Sequence, residues 1–573
     1  MKKRTRQMMI RQTLRNTTSV SSRRVCPYLA GAGIVGLLGV ASLRPAMAFN
    51  VYDGTQAGNN LEINLTTTVS YSGFLRVNSP SAVLAGAANA NGNDGDSNLQ
   101  HGIVGNLFEA VPVLDIRDGN YGAHLSGQFY LNTTYLGTNQ NDQPGTANSI
   151  YLSKNTDFTS ATRNVNGENA QLLDAFVFGK QEFSGDQTIE VKVGRQTLFW
   201  GQSLFFASDG ISGGQAPINV ITAQDTISPQ AQQVFMPVGQ AVVTYQPGMY
   251  GLTFQGYYQF EWQHDYFQGA GAYFNGTDTL DRGAPSIIVG NVPGVGNEYF
   301  LRNKDLTPPN QNGQFGLSVQ GEAGQVDWGL FGLRFDAKAP EFYAFPGQGG
   351  IYPVSTAVAT GLHVGQFQVV YPRDIWLEGA SFSTNILNAN IAGEMSAREH
   401  MPLVAAGFGI PTAANPGTAN SDPLYPVGNT FDAQASAIYV TSGIPLDPGG
   451  ISIEGEVAFN HLISVTQNRS ALAQGRQGSA AAINFIVSPT YYEVIPNLEL
   501  TFPIGVDYNF LGRSEVDAGI QHGTGTFNIG ITGTYKAVWI ASLTYQDYLG
   551  KPDPAYNATA DRGYISLNLQ HSF

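Results

Sequence analysis

The last eleven residues, "GYISLNLQHSF" (563–573), decide the fold. Ile565, Leu567, Leu569, His571 and Phe573 alternate with Tyr564, Ser566, Asn568, Gln570 and Ser572. A period of two places the first set on one face of a β-strand and the second on the other. A free chain end usually frays. A regular strand that runs to a terminal aromatic therefore needs a partner along its whole length.

The same alternation recurs upstream. In "LEINLTTTVSYSGFLRV" (61–77), Leu61, Ile63, Leu65, Val69, Tyr71 and Leu75 oppose Glu62, Asn64, Thr66, Thr68, Ser70 and Arg76. "LTFQGYYQFEW" (252–262), "ISIEGEVAF" (451–459), "LELTFPIGVDYN" (498–509), "TFNIGITGTY" and "VWIASLTYQ" repeat it. Two-faced segments of roughly ten residues are the signature of a transmembrane barrel. Tight turns at Asp118-Gly119, 184–187, 246–251, 322–325 and 495–498 alternate with long polar loops near 78–106, 137–170, 201–237, 263–312, 338–373 and 399–430. Short periplasmic turns and long extracellular loops follow that rule. The reading is an all-β, antiparallel transmembrane barrel of about 18 strands, or 16 if one has been split, with 326–336 and 362–386 as the ambiguous stretches. The final strand then closes against the first.

Composition agrees. Charged residues make up 13% of the 573, while glycines number 68 and aromatics reach 11%. A disordered chain carries more charge and fewer aromatics. The first 48 residues hold nine Lys or Arg and no acid, and "AGAGIVGLLGVASL" is followed by Ala46-Met47-Ala48, the pattern of a cleaved signal peptide. That leaves 49–573 as a single barrel domain. Cys26, the sole cysteine, lies in the segment removed, so neither disulfide nor thiolate chemistry is expected. Removing the nine basic residues from 29 Lys and Arg leaves 20 against 43 acids, a net charge near −23. Nucleic acid is an unsuitable partner for such a surface. After residue 48 no apolar run is long enough for a spanning helix, so a closed barrel is the one route through a bilayer.

No enzyme emerges. Gly210-Ile211-Ser212-Gly213-Gly214 matches a nucleophile elbow but lacks the strand before and the helix after it. Histidines are scattered without ligand spacing, and "NANGNDGDSN" (89–98) lacks the terminal Glu of a Ca²⁺ loop. We expect no cofactor and no metal. The candidates lie in the lumen instead. Glu394 and Arg398 share the inner face of one strand, about 13 Å apart at strand rise, and Glu454 and Glu456 are neighbours on the inner face of another. Strict alternation puts Arg195 with Ile189, Val191 and Val193 toward lipid, and a bulge at Gly194 is expected to turn it inward.

Loop 201–237 is too long for a simple hairpin. Leu204, Phe205, Phe206, Ile211, Ile218, Val220, Ile221 and Ile227 crowd it, and only Asp209 and Asp225 are charged. Burying eight such side chains at about 1.5–3 kcal/mol each exceeds the cost of ordering part of the loop. It is expected to fold inward as a constriction, with Arg195, Glu394 and Arg398 as anchors.

Five stretches occur in order that resemble one family: "VKVGRQTLFWGQSLFF" (191–206), "NGQFGLSVQ" (312–320), "YPRDIWLEGASFSTN" (371–385), "GEMSAREHMP" (393–402) and "DRGYISLNLQHSF" (561–573). Together they resemble the domain-of-unknown-function 1302 family of Gram-negative outer-membrane β-barrel proteins. Arg373 and Gln202 stand where that pattern has glutamates, Ala397 where it has tyrosine, and "INVITAQD" replaces its Asn-Pro-Val-Asp. The resemblance implies residence in the outer membrane and selective uptake of hydrophobic or amphipathic organic solutes. Implied partners are the lipid bilayer with lipopolysaccharide, a small hydrophobic solute, a periplasmic carrier, and the barrel-assembly machinery reading Phe573. A general hydrophilic porin and an outer-membrane lipid or ester hydrolase are the rival readings.

Overall fold

The computed structural model describes residues 49–54, 59–143, 145–280, 283–308, 312–413, 415–419, 421–441 and 449–573. The signal-peptide reading of 1–48 lies outside them. Strand Leu61–Arg76 pairs antiparallel with Gly102–Asp118 on one side and with the final strand, Tyr564–Ser572, on the other. The second pairing runs from Arg76↔Tyr564 to Thr68↔Ser572 and closes an eighteen-strand barrel. Phe573 extends the seam, exchanging backbone hydrogen bonds with Thr67 at 2.8 and 3.0 Å. Beyond that point the edge of the first strand would be bare. The short strand Phe49–Asp53 covers it, pairing Phe49↔Leu65 through Asp53↔Glu62, and so leaves less open edge for another chain.

The wall follows the alternation. Along the last strand Ile565, Leu567 and Leu569 are exposed outward, whereas Ser566 and Asn568 are buried on the inner face. Leu317 and Leu330 are exposed while Ser318 and Phe331 point in. Leu498–Thr501 and Ile504–Leu511 form one wall strand interrupted at Pro503: both halves pair with Ser479–Ile495 and with Gly525–Tyr535. Proline has no N–H for the ladder, so the strand breaks there without leaving its place. No described helix is long and apolar enough to cross a membrane, which leaves crossing to the strands.

The ambiguous stretches separate cleanly. Val326–Phe335 and Ile375–Ile386 are wall strands paired with each other. Thr360–Val370 is not. It belongs to a second, five-stranded sheet built from the long connections, with Ser286–Val292, Gly296–Arg302, Glu341–Pro346 and Tyr352–Ser355. There Gly296–Arg302 runs parallel to Thr360–Val370, starting at Asn297↔Gly361, and Tyr299, Val354, Val358 and Ala359 pack with Ile150. Three further long connections, 468–478, 512–524 and 550–563, join the six expected ones on the same end of the barrel.

Arg195 is the correction. Its ladder is unbroken, with Ala175↔Arg195 and Arg195↔Gly239 in register and no bulge at Gly194. Gln196 and Gln240 point inward and are buried, so Arg195 stays on the outer face at the end of its strand. A mid-membrane cation would be costly. This one sits at the rim, where the Glu261 carboxylate and the Pro237 carbonyl receive its guanidinium.

Candidate functional site

The segment between strands Thr188–Gln196 and Val238–Gln246 enters the barrel and touches wall strands on several sides. Its entry begins at Trp200, whose indole N–H donates to Gln255 (2.6 Å) and whose backbone N–H donates to the Gln215 side chain (2.7 Å). The chain then meets Glu394, buried on strand Ala389–Pro402. One carboxylate receives the backbone N–H groups of Gln202, Ser203 (3.0 Å) and Ile211 (2.8 Å). Such convergent N–H groups form an anion nest. Gly201 (φ +90°) and Gly210 line it, and a Cβ on either would lie 2.2 or 2.4 Å from a Glu394 oxygen. Two glycines are required here because the carboxylate occupies the space a side chain would take.

Glu456, on strand Gly450–Gln467, repeats the device. It receives the N–H groups of Leu204 (2.8 Å), Phe205 and Phe206 (2.9 Å). Those three side chains pack on Ala458, Ala480, Ala482, Ile486 and Ile520. Arg398 supplies the opposite charge, donating to the carbonyls of Asp209 (2.6 Å) and Gly210 (3.0 Å), with Asp432 3.6 Å from its Nε. Gln434 donates to the Phe206 carbonyl at 2.7 Å.

The rest of the loop reaches other walls. Lys338 donates to the Gly214 carbonyl (3.0 Å), and Gln259 to that of Gln215 (2.8 Å). The short helix Val220–Asp225 is capped by Asn219, and Gln128 donates to its Thr222 hydroxyl at 3.3 Å. Gln233 donates to Glu109 (2.8 Å) and Gln230 to Thr68 (3.3 Å). Ala216, Ile218, Val220, Val234 and Phe235 make an apolar core of the loop's own with Phe267. The inward fold expected from composition is the observed one.

Of the sequence candidates, Phe205, Phe206, Asp209, Glu394, Arg398 and Glu456 meet at this anchor. Asp225 lies elsewhere in the same loop and receives Gln268 (3.0 Å) and Asn166 (3.4 Å). Burial pushes the Asp225 carboxyl up to about 7. Burial, with Asp517 and Asp432 nearby, raises that of Asp209 well above the usual carboxylate range. Glu454 faces the lumen but holds no part of the loop. Arg195 is outside the barrel. Sequence reasoning missed Gln215, Lys338, Asp432, Gln434 and Glu109. Alternation alone would have put Asp432 and Gln434 on one inner face with Ser436.

The remaining motifs resolve into structure. The Ser212 hydroxyl donates to the Ala207 carbonyl at 3.0 Å, within a 3-10 turn, Ile211–Gly214. In the 89–98 stretch, Asp94 receives the Asn148 N–H (2.9 Å), and Asp96 pairs with Arg76 (2.8 Å) and Arg562 (3.3 Å). Among the described residues no group of three potential ligands could hold a metal ion.

A closed antiparallel barrel with an apolar outer face, a polar inner one and a pinned inward loop defines a transmembrane barrel of the outer-membrane type. The chain belongs to the family described as "Protein of unknown function (DUF1302)", whose model matches residues 29–573. No curated protein matches it in sequence. Solved structures similar to it include a BenF-like porin from Pseudomonas fluorescens (9% identity, 90% of this chain and 98% of that one, TM-score 0.40). OccAB4 of Acinetobacter baumannii is 6% identical over 89% and 98% of the two chains, TM-score 0.42. OmpF of Salmonella typhi in complex with daunomycin is 9% identical over 91% and 100%, TM-score 0.38.

Proposed function

We propose that this protein is a substrate-selective channel of the Gram-negative outer membrane, passing hydrophobic or amphipathic organic solutes, with loop 201–237 as its constriction. The observation that carries the reading is the double carboxylate anchor: Glu394 and Glu456 together receive six backbone N–H groups of one loop. A general porin gains nothing from filling its lumen with Leu204, Phe205, Phe206 and Ile211. An oily solute, by contrast, exchanges contacts with such side chains at little desolvation cost. An outer-membrane hydrolase is disfavoured by the surroundings of Ser212, whose hydroxyl donates to the Ala207 backbone carbonyl rather than to a general base.

Proteoliposome uptake tests the reading. The reconstituted protein should admit a labelled long-chain alcohol faster than a hydrophilic solute of equal mass. Equal rates, with large and steady salt-proportional conductance in planar bilayers, would mark a general porin. Ester hydrolysis abolished by Ser212→Ala would mark an enzyme.

A further inference from the structure

At the end of the barrel where the turns are short, the inner wall carries a recess of about 330 Å³. Small-ligand pockets begin near that size, at roughly 300 Å³. Inward residues of strands Gly102–Asp118, Glu168–Glu182, Thr188–Gln196 and Val238–Gln246 form it, together with the Gly119-Asn120 turn. The register sets Arg117, Gly122, Phe178 and Lys192 in one row across the wall, and Lys180, Glu190 and Thr244 in the next. No residue of loop 201–237 lines the recess. Gln128, which touches the loop at Thr222, stands six residues from Gly122 along the same strand, ~20 Å at strand rise.

Gly122 shapes the floor. A Cβ there would collide with the Phe178 ring, so the bare backbone lets that ring lie across the strand toward Arg117. The Arg117 guanidinium sits 6.0 Å from the ring centroid, within range of cation–π attraction. Among the described residues no carboxylate or carbonyl receives it. The acids around it are spent elsewhere. Asp115, the next inward residue of its strand, pairs with His124 at 2.8 Å. Glu182 pairs with Lys180 (2.9 Å), and Glu190 with Lys192 (3.2 Å). One positive charge is left over, in a chain with 43 acids against 29 Lys and Arg. Phe176, one row nearer the loop, stacks on His124 (5.2 Å between centroids) and lies 6.4 Å from Phe178. Two rings thus lead from the unspent guanidinium up the wall.

We infer that this recess binds amphipathic carboxylates, with the carboxylate forked onto Arg117 and an aromatic or alkyl body laid on Phe178 and Phe176. The inference deepens the channel reading and rests on it: it names an anionic class of amphipathic solute and a second place, apart from the loop, where the wall holds it. An organic cation is repelled by Arg117 and Lys180. A neutral solute forgoes the charge, and an inorganic anion forgoes the rings.

The test is calorimetric binding to the purified full-length protein in neutral detergent, with a detergent-only titration subtracted. The probes are 4-phenylbutyrate, 4-phenylbutanol and acetate. Phenylbutyrate should bind at least roughly tenfold more tightly than either of the others, since the alcohol lacks the charge and acetate lacks the body. Arg117→Gln should weaken phenylbutyrate by roughly tenfold or more, the loss of a charge-assisted contact. Phe178→Ala should weaken phenylbutyrate and leave acetate unchanged. Heat-modifiable gel migration verifies that each variant barrel is intact. Phenylbutyrate binding that is absent, no tighter than that of the alcohol, or indifferent to Arg117→Gln overturns the inference. So does a silent Phe178→Ala, because Arg117 would then be a bare surface cation. Uptake of a neutral long-chain alcohol by the wild type is measured separately. Its failure sinks the channel reading, whereas a binding failure with uptake intact sinks the recess alone.

Discussion

Replacing Glu456 by glutamine should release the loop. The carboxylate receives three N–H groups, from Leu204, Phe205 and Phe206. A glutamine keeps one carbonyl oxygen, enough for the Phe205 and Phe206 amides, which share Oε2 in the native pair. It loses the Leu204 bond and the charge that strengthens all three. At about 1.5–3 kcal/mol for a charge-assisted bond and about 0.5–1.5 for a neutral one, docking weakens by roughly 3–6 kcal/mol. Removing a buried charge also removes its desolvation cost, which offsets part of that loss. A net of about 2–3 kcal/mol shifts the ratio of docked to undocked loop by roughly 30- to 150-fold. Glutamine also presents an amide N–H₂ to a backbone N–H, which opposes a return to the native pose. Single-channel recording should show longer or more frequent high-conductance states, and amide exchange of residues 202–211 should accelerate. An intact barrel with unchanged conductance and unchanged exchange would refute the reasoning, because the loop would then be held by packing alone.

Four further outcomes follow from the same geometry. Gly201→Ala should resemble Glu394→Gln, since its Cβ would collide with the Glu394 carboxylate at 2.2 Å; both should raise conductance, and a silent Gly201→Ala would mean that the nest is not tight. Asp225 has a folded pKa of about 7 against an ordinary 3.8, so the folded loop holds the extra proton between those values; that stabilisation is full below about pH 4 and lost as pH rises through about 7. Protection of the loop amides, taken relative to an unstructured peptide at the same pH, should therefore be lower at pH 8 than at pH 5, and Asp225→Asn should flatten the difference. Arg195→Gln breaks a rim contact on the outer face, about a quarter exposed, and should cost at most about 1 kcal/mol of thermal stability; altered ion selectivity would contradict its outward placement. Deleting Phe573 removes the two backbone hydrogen bonds with Thr67 and should reduce the yield of heat-modifiable barrel, whereas normal assembly would show that the seam holds without it.

The wall was legible because membrane strands repeat one pattern, apolar out and polar in, and closure follows from a last strand that needs a partner. The outer sheet was not. Thr360–Val370 alternates like a wall strand, and period two says nothing about whether the surroundings are lipid or other loops. Its parallel partner, Gly296–Arg302, lies some sixty residues away, a pairing that no local signal encodes. Arg195 was misread for a related reason. Its compensating acid, Glu261, sits on the far side of two intervening segments, so a cation on the outer face looked unsupported. The inward loop could be foreseen from its own composition, because its apolar side chains have nowhere else to go. The choice of Glu456 over Glu454 as the anchor could not. The two differ by one strand repeat on the same face, and only the height at which the loop crosses the lumen separates them.

The most direct measurement is the conductance of the protein lacking residues 205–222, reconstituted in planar bilayers beside the wild type. The deletion removes Phe205, Phe206, Asp209, Ile211 and the start of the Val220–Asp225 helix, and with them the Glu456 contacts of Phe205 and Phe206. If the loop is the constriction, single-channel conductance rises several-fold and bulky hydrophilic antibiotics enter cells that carry the variant. A correctly assembled barrel with wild-type conductance and wild-type exclusion would contradict the account.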